Sequence, residues 1–397
     1  MKQIIIGAFL GLTSTLSFAQ KKIAEGARAD INRTTSYNQQ STVPFYDRLP
    51  FSPTITLSKA NGYLAWAYAD FDRDSDIDIL TANVNWTPEG EPMEYWENRN
   101  GKFVSNPSVF GDAPPFIQHG RKAIVADVDG NGWPDAIMAG HGYDIPPFKG
   151  EPIRVFLNSK VRFKTREISL PAGFFHSVCA GDIDHDGDID LFITDAMMGP
   201  NMICKFLRND GAGNFTHDPS LFPEELRGKF LFTSELYDID ADGFLDLVVA
   251  GHEAGTLNKD DGAETRVLWG SATGRYTVEN STILPPVNGY GVVLDIDFVP
   301  RTEGGFEILL NRTGDPYGPM GWYRGFYIQL VSPVAPRVFE DFSISRMRDN
   351  MSRTGPWITW LRVHDINKDG KLDITSENKQ NQQEWLNTSG VFKGVIP

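Results

Sequence analysis

The sequence is organised around one short acidic motif that recurs along most of its length. Residues 182–190 read Asp-Ile-Asp-His-Asp-Gly-Asp-Ile-Asp, with carboxylates at positions 1, 3, 5 and 9 and glycine at position 6. Glycine permits a positive φ, so the backbone can curl around a central point. Carboxylates crowded in this way need a counter-charge. Calcium, a hard cation that takes roughly six to eight oxygen ligands, suits them best.

Five copies carry the motif with at most one substitution each, and a sixth copy is degraded. The predicted calcium ligands are Asp70, Asp72, Asp74 and Asp78; Asp127, Asp129, Asn131 and Asp135; Asp182, Asp184, Asp186 and Asp190; Asp238, Asp240, Asp242 and Asp246; and Asp365, Asn367, Asp369 and Asp373. Ser75 replaces the glycine in the first copy. The degraded copy begins at Asp295 and Asp297, lacks a third acidic ligand, and is expected to use Glu307 in place of the last aspartate.

The spacing of the copies predicts the fold. Their first residues lie at 70, 127, 182, 238, 295 and 365, so the period is close to 56 residues except in the last step. A fixed period of this size indicates a repeat architecture. Short apolar runs bounded by Gly, Asn and Asp indicate strands. We therefore predict an all-β fold, a β-propeller of four-stranded blades closed into a ring, with calcium loops on one face.

The boundaries of the units follow from the same pattern. We count six units, and a seventh blade remains open if residues 20–60 contain part of one. In the first unit the strands are predicted at 51–57, 63–69, 77–83 and 93–97. Residues 102–104 are assigned to the next unit, and 391–393 are expected to complete the blade begun at the other terminus.

These motifs resemble the FG-GAP repeats of the integrin α-subunit propeller and of bacterial FG-GAP or VCBS repeat proteins. The resemblance rests on Asp-x-Asp-x-Asp-Gly-x-x-Asp followed by an apolar strand, and on an Asn-Gly-x-Phe turn after the third strand, of which 209–215 is a looser version. It covers roughly residues 45–392. The resemblance implies that calcium binds on one face of the ring, between the first and second strands of each blade.

The acidic loops allow two other interpretations, an EF-hand and a set of turn caps. An EF-hand needs glutamate at position 12, where these loops have Thr81, Met138, Ile193, Val249 and Ser376. That excludes the EF-hand. The aspartates could also serve only as turn caps through bonds to the backbone, but five copies favour calcium. Calcium bound only to the folded state would stabilise it, so its first role is structural.

Composition and the N-terminal residues predict where the protein acts. Residues 1–19 combine a charged start, a short apolar core and small residues before position 20, which is typical of a cleaved signal peptide. A transmembrane anchor is the alternative, but the apolar run is shorter than a span needs. Residues 20–44 are a polar lead-in and 45–397 form the propeller. We therefore expect a secreted, periplasmic or cell-surface protein. The net charge of −15 disfavours nucleic acid as a partner.

Function is expected on the face opposite the calcium loops, because long varied loops on a rigid scaffold usually carry specificity. The candidate ligand-binding residues there are His119, His141, His176, Asp195, His252, Trp86, Tyr143 and Trp322. They predict a binding or scaffolding module for a protein or glycan. The alternatives are a polysaccharide lyase or hydrolase-like enzyme around His141, Asp195 and His252, and a purely structural envelope component. In the plainest interpretation these polar residues only satisfy loop backbone.

Overall fold

The computed structural model describes residues 63–83, 87–196, 204–255, 259–301, 305–367, 369–376 and 383–395. The predicted signal peptide, the lead-in, the strand predicted at 51–57 and Trp86 lie outside these residues. Within them the chain forms six sheets of four or five strands, arranged as the blades of a β-propeller; the pairing is antiparallel except for one short added strand in blade six. The predicted all-β propeller is confirmed.

The first three blades are plain four-stranded sheets. In chain order, blade one contains β1 (Tyr63–Ala69), β2 (Asp78–Asn83), β4 (Glu94–Arg99) and β5 (Lys102–Ser105). Beside this blade, β3 (Glu91–Pro92) pairs with β6 (Phe116–Ile117) in a separate two-stranded sheet. Blade two contains β7 (Gly120–Ala126), β8 (Asp135–Gly140), β9 (Arg154–Asn158) and β10 (Phe163–Glu167). Blade three contains β11 (Phe175–Gly181), β12 (Asp190–Asp195), β13 (Lys205–Asn209) and β14 (Phe215–His217).

Blade four also has four strands, whereas blades five and six each have a short additional strand. Blade four contains β15 (Leu231–Tyr237), β16 (Asp246–Gly251), β17 (Arg266–Leu268) and β18 (Ser281–Ile283). Blade five contains β19 (Val292–Pro300), β20 (Phe306–Thr313), β21 (Phe326–Ala335), β22 (Val338–Asp341) and the added β24 (Met351–Ser352). Blade six contains β25 (Leu361–His364), β26 (Asp373–Ser376), β27 (Glu384–Thr388), β28 (Val391–Val395) and the added β23 (Met347–Arg348).

Helical segments are short in the described residues. Helix α1 spans Ser343–Arg346, and three 3-10 turns span Pro107–Phe110, Glu224–Leu226 and Lys259–Asp261. None of the helices in this part of the chain is long and apolar enough to cross a membrane.

The strand that ends each unit belongs to the blade before it. Lys102–Ser105 pairs with β4, so it is the outer strand of blade one and not the start of the next unit. Likewise β28 pairs with β27 inside blade six. The assignment of 102–104 and 391–393 to other blades was therefore wrong. The physical reason is the tight turn at Asn100 and Gly101, whose positive φ angles of 57° and 88° suit a hairpin that folds the strand back.

The hydrophobic core lies between neighbouring blades. Each of the large buried clusters takes its side chains from two consecutive blades, such as Phe71 and Tyr95 of blade one with Phe156 and Phe163 of blade two. The same arrangement recurs between the later pairs of blades. Because one sheet alone cannot cover both of its faces, this stacking is what makes the ring stable.

The inner strands β1, β7, β11, β15, β19 and β25 follow one another around a narrow axial channel. Lys122 on β7 reaches across it to the carboxylate of Glu235 and the carbonyl of Ser234 on β15. The guanidinium of Arg362 on β25 lies 4.0 Å from the ring centre of Tyr68 on β1. This contact joins the last blade to the first, so the ring closes through it.

Candidate functional site

The acidic loops connect the inner strand of a blade to its second strand and share one backbone conformation. At position 6, φ is 77° in Ser75 and 82–94° in Gly132, Gly187, Gly243 and Gly370. The amide of this residue donates to the position 1 carboxylate at 2.8–3.1 Å in all five loops. The predicted curl is confirmed. Ser75 adopts it too, although a side chain is unfavourable at positive φ.

Position 9 does more than offer a ligand. One oxygen of this buried aspartate accepts the amide of position 2 at 2.8–3.4 Å. The other accepts the amide that ends the third strand of the same blade, at 2.6–2.9 Å. Asp78, Asp135, Asp190, Asp246 and Asp373 all do this. The aspartate therefore ties the loop to the neighbouring turn whether or not a metal is bound.

Four of the loops bring three carboxylates close enough to share an ion. Oxygens of Asp70, Asp72 and Asp78; of Asp127, Asp129 and Asp135; of Asp182, Asp184 and Asp186; and of Asp238, Asp240 and Asp246 lie within 4.8 Å of one another in each group. Asp127 Oδ1 and Asp182 Oδ1 are buried and accept no hydrogen bond from the described residues. These oxygen-only donor sets fit a hard cation such as calcium. The fifth loop keeps the same hydrogen bonds but offers Asn367 in place of one carboxylate.

Burial and the charges of neighbouring aspartates raise the pKa of the carboxylates at position 9. Burial raises the pKa of Asp78 to about 8, and the Asp72 charge adds to this. It raises the pKa of Asp135 and of Asp190 to about 7, with neighbouring aspartates in support. A bound cation reverses this balance, because it favours the charged form. Arg337 of blade five, 2.7 Å from Asp240, already compensates part of the charge in the fourth loop.

Blade five has no acidic loop at Asp295. Both Asp295 and Asp297 lie within β19 and are buried, so they do not begin a loop as the degraded copy of the motif suggested. Asp295 comes directly after the irregularity in the pairing of β19 with β20. Lys122 has the same place in blade two, where it lies five residues before the first loop aspartate, Asp127. Glu307 does lie where position 9 is expected, opposite Val299, but it is held by Arg346 and Ser332.

The predicted histidines lie together at the opposite end of the sheets from the acidic loops. In blade two, for example, Gly120 and Gly140 pair next to His119 and His141, whereas Ala126 and Asp135 pair at the loop. We call this surface the histidine face; it comprises His119, His141, His176, His252, Phe174, Phe230, Phe232, Trp322, Tyr323 and Trp357.

The rings of the histidine face form one continuous chain of contacts. His141 lies 3.8 Å from His119 and stacks on Phe174 at 4.1 Å between ring centres. His176 stacks on Phe232 at 4.0 Å, and Phe232 is 5.7 Å from His252. Such offset and edge contacts stabilise aromatic groups beyond the area they bury. Blades two, three and four are thereby joined at the channel mouth.

The chain of rings reaches the surface in blades five and six. His252 Nε2 is 3.2 Å from the Tyr323 hydroxyl and its ring is 5.1 Å from Trp322. Tyr323 in turn contacts Trp357 at 5.6 Å. Trp322 is 38% exposed and Trp357 is 40% exposed. The face therefore presents two indole rings to solvent over a buried base of imidazoles.

A recurring strand irregularity positions the base of this face. The pairing of the inner and second strands skips one inner-strand residue in each of the first five blades; in blades two to five these are Arg121, His176, Phe232 and Leu294. Extra residues of this kind re-aim side chains and are common beside functional sites. Here they bring Arg121 to 5.4 Å from the Phe232 ring and 5.7 Å from the Trp360 ring.

The imidazoles of this face are neutral at ordinary pH. Burial lowers the pKa of His141 and of His252 to about 3. Burial also holds the pKa of His119 and of His176 well below 6.5, and Arg121 and the neighbouring histidines add to this effect. Neutral imidazoles can donate or accept hydrogen bonds and stack, but they do not supply a proton near neutral pH.

The remaining predicted residues lie apart from the chain of rings or outside the described residues. Asp195 is buried, pairs with Lys205 at 3.2 Å and accepts the Phe174 amide at 3.0 Å, which makes it a support for the face. Tyr143 is half-buried and its amide is 3.3 Å from Gln118 Oε1. Trp86 lies outside the described residues.

Comparisons with known proteins identify the repeat. A family model described as FG-GAP-like repeat matches residues 127–193, which run from the second acidic loop to the second strand of blade three. The chain is a β-propeller that contains an FG-GAP-like repeat. No curated protein sequence matches it.

Three solved structures resemble this propeller to different degrees. An Agrocybe aegerita lectin that recognises non-reducing terminal N-acetylglucosamine is 16% identical, with a TM-score of 0.50 over 82% of this chain and 78% of the lectin chain. The Dos1 propeller gives a TM-score of 0.44 at 10% identity over 80% of this chain and 65% of that chain. BBS1N, solved in complex with ARL6DN, gives 0.39 at 9% identity over 83% and 94%. At these identities the likeness concerns the fold alone.

Sequence reasoning missed half of the FG-GAP propeller's histidine face. Phe174, Phe230, Phe232, Tyr323 and Trp357 were not selected, and neither was Arg121, which lies beside Phe232. The selection was limited to polar residues beside strand ends and to aromatic residues in the loops after the second strands. A positional signal was available: Arg121, His176 and Phe232 each lie six residues before the first aspartate of a complete motif. Counting back from the motif locates the base of the face in these blades.

Proposed function

We propose that this protein is an exported, calcium-stabilised binding module that holds a glycan or protein partner on its histidine face. The observation that carries the proposal is the pair of exposed indoles, Trp322 and Trp357, over a base of buried neutral histidines. Exposed aromatic rings on a rigid scaffold stack on sugars and anchor protein partners. Export is inferred from residues 1–19 and from a calcium requirement that the outside of a cell satisfies.

Calcium has a supporting role in this proposal. Four loops with three converging carboxylates each suggest that the cation stabilises the ring from the face opposite the partner. A ligand that binds only the folded state raises stability by mass action. Calcium would then keep the inner strands in the arrangement that assembles the histidine face, without touching the partner.

A binding role fits the site better than acid–base catalysis around His141, Asp195 and His252. The pKa of about 3 in His141 and in His252 leaves both imidazoles neutral, and Asp195 is committed to Lys205. The similar Agrocybe aegerita lectin recognises a terminal sugar, and this supports a glycan as one of the two partner classes.

The test is partner binding by wild-type protein and by indole variants on a glycan array and a panel of secreted proteins. Trp322→Ala and Trp357→Ala should each weaken binding roughly tenfold or more, because they remove exposed stacking surface. Trp133→Ala is the matched control, since that indole lies in an acidic loop at the other end of the sheets. Binding that survives both indole changes and is lost in Trp133→Ala would refute the proposed location.

A further inference from the structure

Arg121 is the unexplained charge of the histidine face. Its guanidinium lies over the rings of Phe232 and Trp360, at 5.4 and 5.7 Å. The Nε atom is buried and has no hydrogen-bond partner among the described residues. Burial lowers the pKa of Arg121 to about 10, so the side chain remains charged at neutral pH. A buried donor without a partner is costly unless something supplies an acceptor.

The protein offers no close acceptor for this charge in the part of the chain that the structure describes. Tyr323 and then Asp144 are the acidic groups that interact with Arg121 electrostatically. Partial burial raises the pKa of Asp144 despite the opposing effect of the guanidinium. The two groups do not form an ion pair in these residues. A guanidinium with free planar donors matches a carboxylate, which can accept two parallel hydrogen bonds.

The surroundings of Arg121 fit a sugar ring that carries such a carboxylate. His176 Nδ1 and His252 Nδ1 are buried without hydrogen-bond partners in the described residues, so neutral donors and acceptors for hydroxyl groups lie close by. Phe232 contacts both Arg121 and His252, and His252 contacts the exposed Trp322. The guanidinium and the indole are thus separated by two rings, a distance that one or two sugar units can span.

We propose that the histidine face binds an acidic sugar, such as a uronate-bearing oligosaccharide, with its carboxylate on Arg121 and its ring against Trp322. This inference rests on the proposed function and narrows its partner to one chemical class. An acidic glycan is favoured over a peptide because flat aromatic surface, several neutral imidazoles and a single guanidinium correspond to the apolar face, hydroxyls and acid group of a uronate.

The overall negative charge of the chain does not prevent this. The acidic loops lie at the far end of inner strands such as β7, which has seven residues. At ~3.3 Å per residue the separation is about 20 Å. That exceeds the screening length of about 8 Å at physiological ionic strength. The acidic loops therefore contribute little to the field at Arg121.

The test compares uronate oligosaccharides with their methyl esters, which have the same shape but no charge. Oligogalacturonate, oligomannuronate and hyaluronan fragments are titrated into the purified protein by calorimetry. The calcium concentration is held constant, because carboxylates also bind calcium. At least one acid should bind, and its ester should bind roughly ten- to hundredfold more weakly, the loss expected for a charge-assisted hydrogen bond. Binding of the acid should also weaken as salt is raised.

Variants assign the effect to Arg121. Arg121→Gln should abolish the preference for the acid over the ester, whereas Arg121→Lys should retain part of the preference because it keeps the charge but not the planar donors. Arg99→Gln, at a side chain that is 57% exposed in blade one, is the control. Circular dichroism and the unfolding midpoint verify that each variant is folded.

The outcomes separate this inference from the proposed function. Acid and ester binding equally well, or Arg121→Gln keeping the preference for the acid, would overturn the inference. Binding of a neutral glycan or a protein that is lost in Trp322→Ala would leave the proposed function standing while the acidic-sugar inference fails. Absence of binding for all three acids would also overturn the inference.

Discussion

The histidines show how strongly a single position can be set by its surroundings. His252 lies in the loop after a strand, where sequence alone suggests a solvated polar residue. In the structure it is buried among Phe230, Phe232, Trp322 and Tyr323. That environment was not predictable from the residue or its neighbours in sequence, because the rings come from blades four and five.

The buried histidines predict acid sensitivity. The pKa of His252 falls from 6.5 to about 3 in the folded state. Below pH 6.5 the unfolded chain therefore binds a proton that the folded chain does not, and stability is lost as pH falls from 6.5 towards 3. His252→Gln, which cannot titrate, should make this loss shallower by up to about one proton.

The measurement for His252 is the free energy of urea unfolding against pH at constant calcium. The two proteins should show the same pH dependence above pH 7, where the imidazole is neutral in both states. A variant that retains the full wild-type slope between pH 5 and 6.5 would contradict the assignment of His252 as a buried neutral group.

Within an acidic loop, aspartates have two roles that depend on their position: hydrogen bonding to the backbone at position 9 and metal binding at position 3. Asp135, at position 9, accepts the amides of Val128 and Asn158 at 2.9 and 2.6 Å. Asp135→Asn leaves one buried amide without an acceptor and should cost about 1–3 kcal/mol in chelator. The cost in calcium should be larger, because Asp135 also belongs to the carboxylate group that could hold the ion. Asp129→Asn, at position 3, should lower stability in calcium only, because its main loss is a metal ligand.

Urea unfolding of the two loop variants, in calcium and in chelator, checks this difference. If Asp135→Asn and the wild-type protein have the same free energy of unfolding in chelator, the hydrogen bonds from Asp135 to the neighbouring turn contribute nothing to stability and the prediction is wrong. Equal losses for Asp129→Asn in both conditions would show that position 3 is structural as well.

The loops and inner hairpins were predictable because an acidic motif between two short apolar runs recurs at a regular spacing. The first and last strands of each blade were not predictable, because a repeated pattern looks the same whichever strand is counted first. The turn at Asn100 and Gly101 carried the missing information, since it favours pairing with the preceding strand. In blade five the pattern misled: Asp295 and Asp297 copy the start of the motif but lie within β19.

At the scale of the whole molecule, the channel joins blades that do not touch through their cores. Lys122 and Glu235 pair across it, and both side chains are only 3% exposed. Lys122→Met leaves a buried carboxylate without its partner and should cost about 3–5 kcal/mol, whereas the double variant Lys122→Met, Glu235→Leu should recover most of the loss.

The urea midpoint of the single and double channel variants measures this coupling. A loss below about 1 kcal/mol in Lys122→Met would show that the pair behaves like a surface ion pair and does not tie the ring. No feature of the sequence pointed to this pair, because its residues lie in repeats two and four and each follows a different local pattern.

We propose that calcium in the acidic loops stabilises the propeller and so supports the histidine face. The most direct measurement is the thermal unfolding midpoint of the protein with excess calcium and then with chelator, using magnesium as the control cation. We predict that calcium raises the midpoint by several degrees or more, since occupied sites add stability by linkage. A midpoint that is the same in calcium and in chelator would contradict the claim and leave the aspartates as turn caps alone.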